Sequence, residues 1–193
     1  AQGTTLGADN GIGVAAAMAI LADKSVVHPP LEVLITVDEE TGMYGAFALE
    51  GGLLQGKYLL NLDSEAEGEL YVGCAGGVDT TAKFAYTPVE VEEGDVAVKV
   101  SVTGLKGGHS GCDIHLQRAN ANKLLFRFLK EAVTNYEARL ASVEGGSLRN
   151  AIPREASAII TIPAEGFDDI IDLVAECEDL FIAEYDGVED NIH

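Results

Sequence analysis

The sequence predicts an α/β fold built from two modules. Helix-like and strand-like apolar segments alternate over the first 77 residues, the order that produces a largely parallel sheet. Beyond residue 78, strand-like segments alternate polar and apolar residues, which is typical of half-exposed antiparallel strands. Two long amphipathic segments accompany these later strands. We therefore assign residues 1–77 to one module and residues 78–193 to a second.

The first module is predicted to contain two helices and three strands. The Ala-rich segment 10–23 places apolar residues on one face, which predicts a buried helix. A strand at 31–37 has few polar positions, the pattern of a sheet covered on both faces. The remaining elements are a helix at 43–54, ended by glycines, and strands at 57–63 and 68–77.

The second module is predicted to have the order strand, strand, helix, strand, strand, helix. Its helices are the amphipathic segments 115–136 and 166–185, in which apolar residues recur with helical spacing. This order predicts a four-stranded sheet with both helices on one side, a ferredoxin-like α+β lid. The strand segments are 78–88, 95–105, 136–146 and 154–163.

The composition restricts the class of function. The 193 residues include 32 acids and 12 bases, for a net charge of −20. This charge argues against nucleic-acid and anionic membrane partners, since phosphate groups would be repelled. The cysteines Cys74, Cys112 and Cys177 are too far apart to indicate a disulfide framework or zinc knuckle. No apolar run reaches 18 residues, and we expect a cytoplasmic protein.

Acidic residues lie next to three elements of the first module. Asp9 precedes the first helix, Asp38–Glu40 follow one strand and Asp63 ends another. Each alone fits an ordinary helix cap or polar loop. Ligands bind at the carboxyl ends of the strands in such sheets, so the three loops together predict one acidic site. Clustered carboxylates repel one another unless cations bind between them, and a pair of divalent metals suits this arrangement.

Five motifs occur in order along the chain: "GTTLGADNGIGVA", "TVDEETGMYGA", "NLDSE", "GLKGGHSGCDIH" and "RNAIPREA". Together they resemble the dinuclear zinc peptidase family that includes glutamate carboxypeptidase, tripeptidase T and aminoacylase. Within that family they are most similar to the aminoacylhistidine (Xaa-His) dipeptidases, which cleave carnosine-type dipeptides. The resemblance implies that residues 1–77 are part of a catalytic domain and residues 78–193 a lid and dimerisation domain.

The resemblance also implies a role for each acid. Asp9 would bridge two divalent metal ions, Glu40 would hold one of them and Asp63 the other. Zinc is the metal expected, with cobalt and manganese as alternatives. Glu39 would be the general base that takes a proton from the attacking water and passes it to the leaving amine. In this family the peptide bond between the bridging acid and the next residue, here Asn10, is commonly cis.

Two residues of the second module complete the expected site. The resemblance implies that His109 steadies the tetrahedral oxyanion, in the site of the partner subunit of a homodimer. It implies that Asn150 contacts the terminal carboxylate or the scissile region of the peptide substrate. Without the resemblance, His109 fits a turn histidine between glycines equally well. Arg118 and Arg154 fit substrate binding and ion pairing equally.

Two features of the family are missing from the sequence. There is no HxD motif on an earlier strand, and no later metal-ligand histidine in the expected context. We therefore expect an internal fragment of a longer enzyme, inactive by itself. Two other interpretations remain open. One is a related tripeptidase, aminoacylase or desuccinylase, and the other is a non-catalytic dimerisation module whose acids are only surface groups with unperturbed pKa values.

Overall fold

The computed structural model describes residues 8–64 and 66–193. The chain divides into two compact units, Ala1–Ala82 and Lys83–His193, called the first and second unit below. No helix among the described residues is long and apolar enough to cross a lipid bilayer.

The first unit contains helices α1 (Gly11–Ala22), α2 (Glu39–Gly42) and α3 (Tyr44–Phe47). The helix predicted at 10–23 is therefore present as α1, and the one predicted at 43–54 is limited to the single turn of α3. The burial predicted for α1 is wrong, since Ile12 is 82% exposed. An apolar helix becomes buried only when another surface covers it.

The three strands predicted in the first unit are absent from the described residues. Segments 31–37, 57–63 and 68–77 carry no strand, and both sheets found in the described residues lie in the second unit. Side chains of these segments are exposed, as Leu60 shows at 82%. A strand needs partner strands to bind its backbone groups and a covering layer to bury its side chains. The mostly parallel sheet predicted for this part is therefore not formed in the described residues.

The second unit has an antiparallel three-stranded sheet and a separate two-stranded ladder. The larger sheet has the order β1-β5-β3, so that β5 (Ala156–Pro163) lies between β1 (Asp95–Val102) and β3 (Arg139–Gly145). The ladder pairs β2 (Gly108–His109) with β4 (Ala151–Ile152), also antiparallel.

Two long helices enclose the core of the second unit. They are α4 (Ala121–Asn135) and α5 (Phe167–Glu184), with 3-10 turns at Ile114–Leu116 and Ala164–Gly166. Residues of α4 with a spacing of three and four form a continuous buried stripe. This stripe consists of Ala121, Leu124, Leu125, Phe128, Leu129 and Ala132. It packs in one cluster with Ile160 of β5 and with buried residues of β1 and α5.

The α+β character predicted for the second module is confirmed, with one strand fewer in the main sheet than expected. The segment 78–88 forms no strand, and its aromatic residues Phe84 and Tyr86 are exposed. Alternation of polar and apolar residues predicts a half-buried strand only where a neighbouring strand is available to pair with it.

The last residues of the chain are bound to the end of β1. Thr103 donates its N–H to the carbonyl of His193 at 2.8 Å, and His193 donates back to Thr103 at 3.2 Å. Gly104 has φ +81°, and a Cβ there would collide with the carbonyl oxygen of Asn191. Glycine is required at this position because both the backbone conformation and the space exclude a side chain.

Candidate active site

Asn10 connects the Asp9 turn to the segment that ends at Asp63. Its Oδ1 accepts the N–H of Gly13 at 2.9 Å and caps α1, while its Nδ2 donates to the carbonyl of Leu62 at 2.7 Å. The Asp9–Asn10 peptide bond is cis, as the resemblance implies. One side chain thus places Asp9 next to the residues that lead into Asp63.

Glu39 and Glu40 occupy a tight turn that forms α2. Asp38, the N-cap residue of α2, has φ +55°. The N–H of Met43 donates to the carbonyl of Asp38 at 2.7 Å. The N–H of Gly45 donates to the carbonyl of Val37, where a Cβ would lie only 2.6 Å from the Val37 nitrogen. These contacts fold the chain back just after the two glutamates.

The negative charges of the other predicted acids affect the pKa of Glu39. Desolvation by neighbouring atoms raises the pKa of Glu39 above its ordinary value although the residue is exposed, and the negative charges of Glu40, Asp63 and Asp9 raise it further. Asp9, Glu39, Glu40 and Asp63 come from three separate turns. The structure therefore brings these turns into one electrostatic environment.

The carboxylates of this cluster are suitable ligands for a divalent cation, but their positions are not those of a formed metal site. A bound cation offsets the electrostatic repulsion between neighbouring carboxylates. Within residues 8–64 and 66–193, however, no three His, Cys, Asp or Glu side chains lie close enough to hold a metal ion. The assignment of Asp9, Glu40 and Asp63 as ligands stays a prediction.

His109 lies in β2 of the two-stranded ladder, and Asn150 lies in the turn directly before β4. His109 in β2 is paired with Ala151 in β4, and the N–H of Ser110 donates to the carbonyl of Asn150 at 2.8 Å. His109 is exposed and Asn150 half-buried. The two residues predicted to contact substrate are thus close together in the second unit.

A cleft of about 910 Å³ lies beside this ladder. Arg118, Lys123 and Arg149 contribute basic side chains to its lining, together with Ser110. Glu184 contributes an acid to the same lining, but in a chain of net charge −20 the excess of basic groups here favours an anionic group of a ligand. Arg118 is also ion-paired, because its Nη1 lies 3.3 Å from Oδ2 of Asp113.

Glu189 is a supporting residue that sequence reasoning missed. Its carboxylate, 8% exposed, accepts the N–H of Lys106 at 2.8 Å and the N–H of Ala119 at 2.9 Å. These two donors are the ends of a loop, residues 106–119, that contains His109. Glu189 is 83 positions from Lys106 along the chain, so no local pattern indicates this contact. Asp113 was missed too, although its position four residues after His109 is a spacing that permits a loop-closing hydrogen bond.

Most of the second unit is similar to a domain that is known in peptidases. Residues 100–189 match the Peptidase dimerisation domain family, and this range includes α4, β3, β5 and α5. Most of the α+β layer, including its two helices, is therefore similar to the dimerisation domain of this class of protein.

Individual relatives define a narrower group. The chain is 51% identical over 192 residues to the cytosol non-specific dipeptidase of Escherichia coli (strain K12), an alignment covering 100% of this chain and 40% of the relative. The crystal structure of aminoacylhistidine dipeptidase from Vibrio alginolyticus matches with a TM-score of 0.67 at 49% identity, covering 98% of this chain and 39% of the other. An uncharacterized Bacillus subtilis protein, YqjE, is 35% identical over 109 residues, covering 52% of this chain and 29% of its own. The resemblance to dipeptidases indicated by the motifs is confirmed, and the chain spans about two fifths of their length.

Proposed function

We propose that the protein carrying this chain hydrolyses the peptide bond of small dipeptides, with Xaa-His dipeptides of the carnosine type as substrates. The observation that carries this proposal is the cluster around Glu39, whose pKa is raised by desolvation and by the charges of Glu40, Asp63 and Asp9. A general base needs a pKa shifted toward the working pH, and that is what this environment produces. The dipeptidase relatives at 51% and 49% identity support the substrate class.

Each of the four predicted acids of the first unit has its own role in the proposed reaction. Asp9 would bridge two divalent cations, with Glu40 holding one and Asp63 the other; zinc is the first candidate, then cobalt or manganese. When bound, these ions supply positive charge that makes water a stronger nucleophile. Glu39 accepts the proton that the attacking water loses and delivers it to the leaving amine.

The residues of the second unit bind the substrate. His109 donates a hydrogen bond to the oxyanion that develops at the scissile carbonyl. Asn150 contacts the substrate's terminal carboxylate or scissile region, and the basic side chains of the neighbouring cleft support an anionic group there. In this proposal His109 serves the partner subunit of a homodimer, which the match to a dimerisation domain supports. The name of the Escherichia coli relative supports a cytoplasmic location.

We also propose that this chain by itself binds metal weakly and turns over little substrate. The described residues hold no group of three ligating side chains, and zinc sites of this kind rely on histidine nitrogens in addition to carboxylates. The acids provide only the oxygen donors of such a site.

A non-catalytic dimerisation module is the second candidate. It is favoured by the match of residues 100–189 to a dimerisation domain. It is also favoured by the apolar core of the second unit, which is formed by residues of that unit only. A related tripeptidase, aminoacylase or desuccinylase would keep the chemistry and change the substrate. The raised pKa of Glu39 argues for chemistry in the first unit, since acids from three separate turns contribute to that one shift.

The decisive experiment uses the complete protein and a panel of Xaa-His dipeptides, other dipeptides, tripeptides and N-acyl amino acids. We expect a chelator to abolish hydrolysis of Xaa-His dipeptides and added zinc to restore it. Glu39→Gln should lower kcat by at least about 100-fold, the loss typical of a general base, while the metal content stays unchanged. Glu67→Gln, in an exposed acid of the same unit, is the matched control. Hydrolysis that survives either the chelator or Glu39→Gln would contradict the proposed mechanism.

A further inference from the structure

We propose that Asp113 and Arg118 are positioning residues that hold the His109 imidazole in the tautomer protonated at Nε2. The inference rests on the proposed role of His109 and deepens it. A neutral imidazole can act as a hydrogen-bond donor to an oxyanion only through a nitrogen that carries a proton. The tautomer therefore decides which ring atom is available to the substrate.

The backbone around His109 determines the tautomer. The N–H groups of Gly111 and Cys112 both donate to Nδ1 of His109, each at 3.0 Å. An atom that accepts two hydrogen bonds cannot itself carry a proton, so the proton of the neutral ring is on Nε2. Because His109 is exposed, its Nε2–H is available as a donor.

Asp113 closes the turn that supplies these two donors. Its Oδ2 accepts the N–H of His109 at 2.9 Å, and its own N–H donates to the carbonyl of His109 at 3.0 Å. Both ends of the five-residue turn are thus bound to each other. The turn holds the N–H groups of Gly111 and Cys112 toward the ring.

Arg118 links Asp113 to Gly107, the residue directly before β2. Its Nη1 donates to the carbonyl of Gly107 at 2.6 Å and lies 3.3 Å from Oδ2 of Asp113. Both side chains of this pair are partly buried, which strengthens the interaction relative to a fully exposed ion pair. A Cβ at Gly108 would lie 2.5 Å from Nη1 of Arg118 and 2.6 Å from Oδ2 of Asp113. The Arg118–Asp113 pair therefore fits here only because Gly108, the residue before His109, has no Cβ.

The test is the tautomer of His109, read from long-range nitrogen–proton correlation spectra of the 193-residue chain labelled with nitrogen-15 histidine. We expect the wild-type ring to carry its proton on Nε2 in at least about a tenfold excess, the ratio that 1.4 kcal/mol of hydrogen bonding produces. Asp113→Ala should lower this excess several-fold, toward the ratio of an unconstrained neutral imidazole. Arg118→Lys, which keeps the charge and loses the planar guanidinium, should shift the ratio by a smaller factor. Glu92→Gln, which breaks the Arg139 ion pair of the same unit, should leave the spectrum unchanged.

The amide signals of β1 and β5 report whether each variant is folded. If Asp113→Ala disturbs them, Asp113→Asn replaces it, since that change retains the shape and removes the charge that pairs with Arg118. A wild-type ring protonated at Nδ1 would overturn the proposal. So would a folded Asp113 variant and a folded Arg118→Lys variant whose tautomer ratios equal the wild-type ratio.

The spectrum reports the tautomer without any turnover, so its outcome is separable from the proposed function. In the complete protein, Asp113→Ala should lower kcat by about 10- to 100-fold with little change in KM, the size of effect that misplacing a catalytic group has. A locked tautomer in a protein that hydrolyses no dipeptide would remove the proposed function and leave the positioning intact.

Discussion

The two units hold their proposed site residues by different physical means. In the second unit, β1, β5, α4 and α5 enclose one apolar core, and the ladder carrying His109 is held to it by the buried carboxylate of Glu189. In the first unit, large apolar side chains such as Leu60 are exposed, and the acids are placed by hydrogen bonds of Asn10 and of the α2 turn.

The difference shows that local hydrogen bonds and a packed core contribute separately to a site. A turn requires only nearby backbone groups, and a single hydrogen bond across 52 positions, from Asn10 to Leu62, joins two of the acidic turns in a unit whose described residues form no sheet. A strand or a buried helix depends on partners and gains about 25 cal/mol for each Å² of apolar surface removed from water. The predictions below test this contrast, beginning with the largest expected effect.

Phe128→Ala should be the most damaging of these changes. Phe128 is 3% exposed in the core of the second unit, so its truncation leaves a cavity and should lower the free energy of unfolding by about 3–5 kcal/mol. Phe47 of α3 is 81% exposed, and Phe47→Ala should cost less than about 0.5 kcal/mol. Urea unfolding followed by circular dichroism measures both. Equal losses would mean that the first unit has a core of its own.

Glu189→Ala should lower the free energy of unfolding of the second unit by about 2–4 kcal/mol. Removing the carboxylate leaves the N–H groups of Lys106 and Ala119 without their acceptor, and each unsatisfied buried group costs about 1–3 kcal/mol. Hydrogen exchange at these two amides should accelerate. Glu176→Ala, at an exposed position of α5, is the control. Unchanged protection of the two amides would show that the loop is held by other contacts.

Asn10→Ala should cost about 1 kcal/mol through loss of the helix cap. It should also lower the pKa of Glu39, because Asn10 binds the segment that leads into Asp63. Asn120→Ala removes the matching cap of α4 in the second unit and should leave the Glu39 pKa where it is. Carbon-13 titration of the glutamate carboxyl groups gives both results. An identical response to the two cap variants would exclude the proposed link between the Asp9 and Asp63 turns.

The smallest effect is the pH dependence that Glu39 itself produces. Its folded-state pKa lies above the ordinary value of 4.5, so the folded chain binds this proton more tightly than the unfolded chain does. Its contribution to stability is present below pH 4.5 and is lost as the pH rises through the raised pKa. Asp63→Asn should reduce the shift, and the exposed change Glu67→Gln should not. A Glu39 titration that is insensitive to Asp63→Asn would show that the charge of Asp63 does not contribute to the shift.

Elements that depend on local pattern were predicted best. The helix at 10–23 appears as Gly11–Ala22, and the helices at 115–136 and 166–185 appear as Ala121–Asn135 and Phe167–Glu184. Their apolar spacing and cap residues are contained in the helices themselves. The first of the long helices begins later than predicted, because Asn120 caps α4 and a 3-10 turn precedes it.

Elements that depend on distant partners were predicted poorly. The apolar run 31–37 has the composition of a buried strand, yet it finds no strand to pair with in the described residues. For the same reason, the sequence does not predict that Glu189 supports the loop containing His109. Contacts between residues 83 positions apart leave no mark in a window of neighbouring residues.

The amino-acid sequence alone determined the acidic turns and the amphipathic helices, because each is expressed in short runs of letters. Its motifs also carried the resemblance to dipeptidases, and that resemblance implied the cis Asp9–Asn10 bond. Only the tertiary structure decided which apolar segments become buried, how Asn10 joins two of the acidic turns and how Asp113 and Arg118 hold His109. Those outcomes depend on three-dimensional distances between groups far apart in the chain, and the free energy of burial and hydrogen bonding exists only once such groups meet.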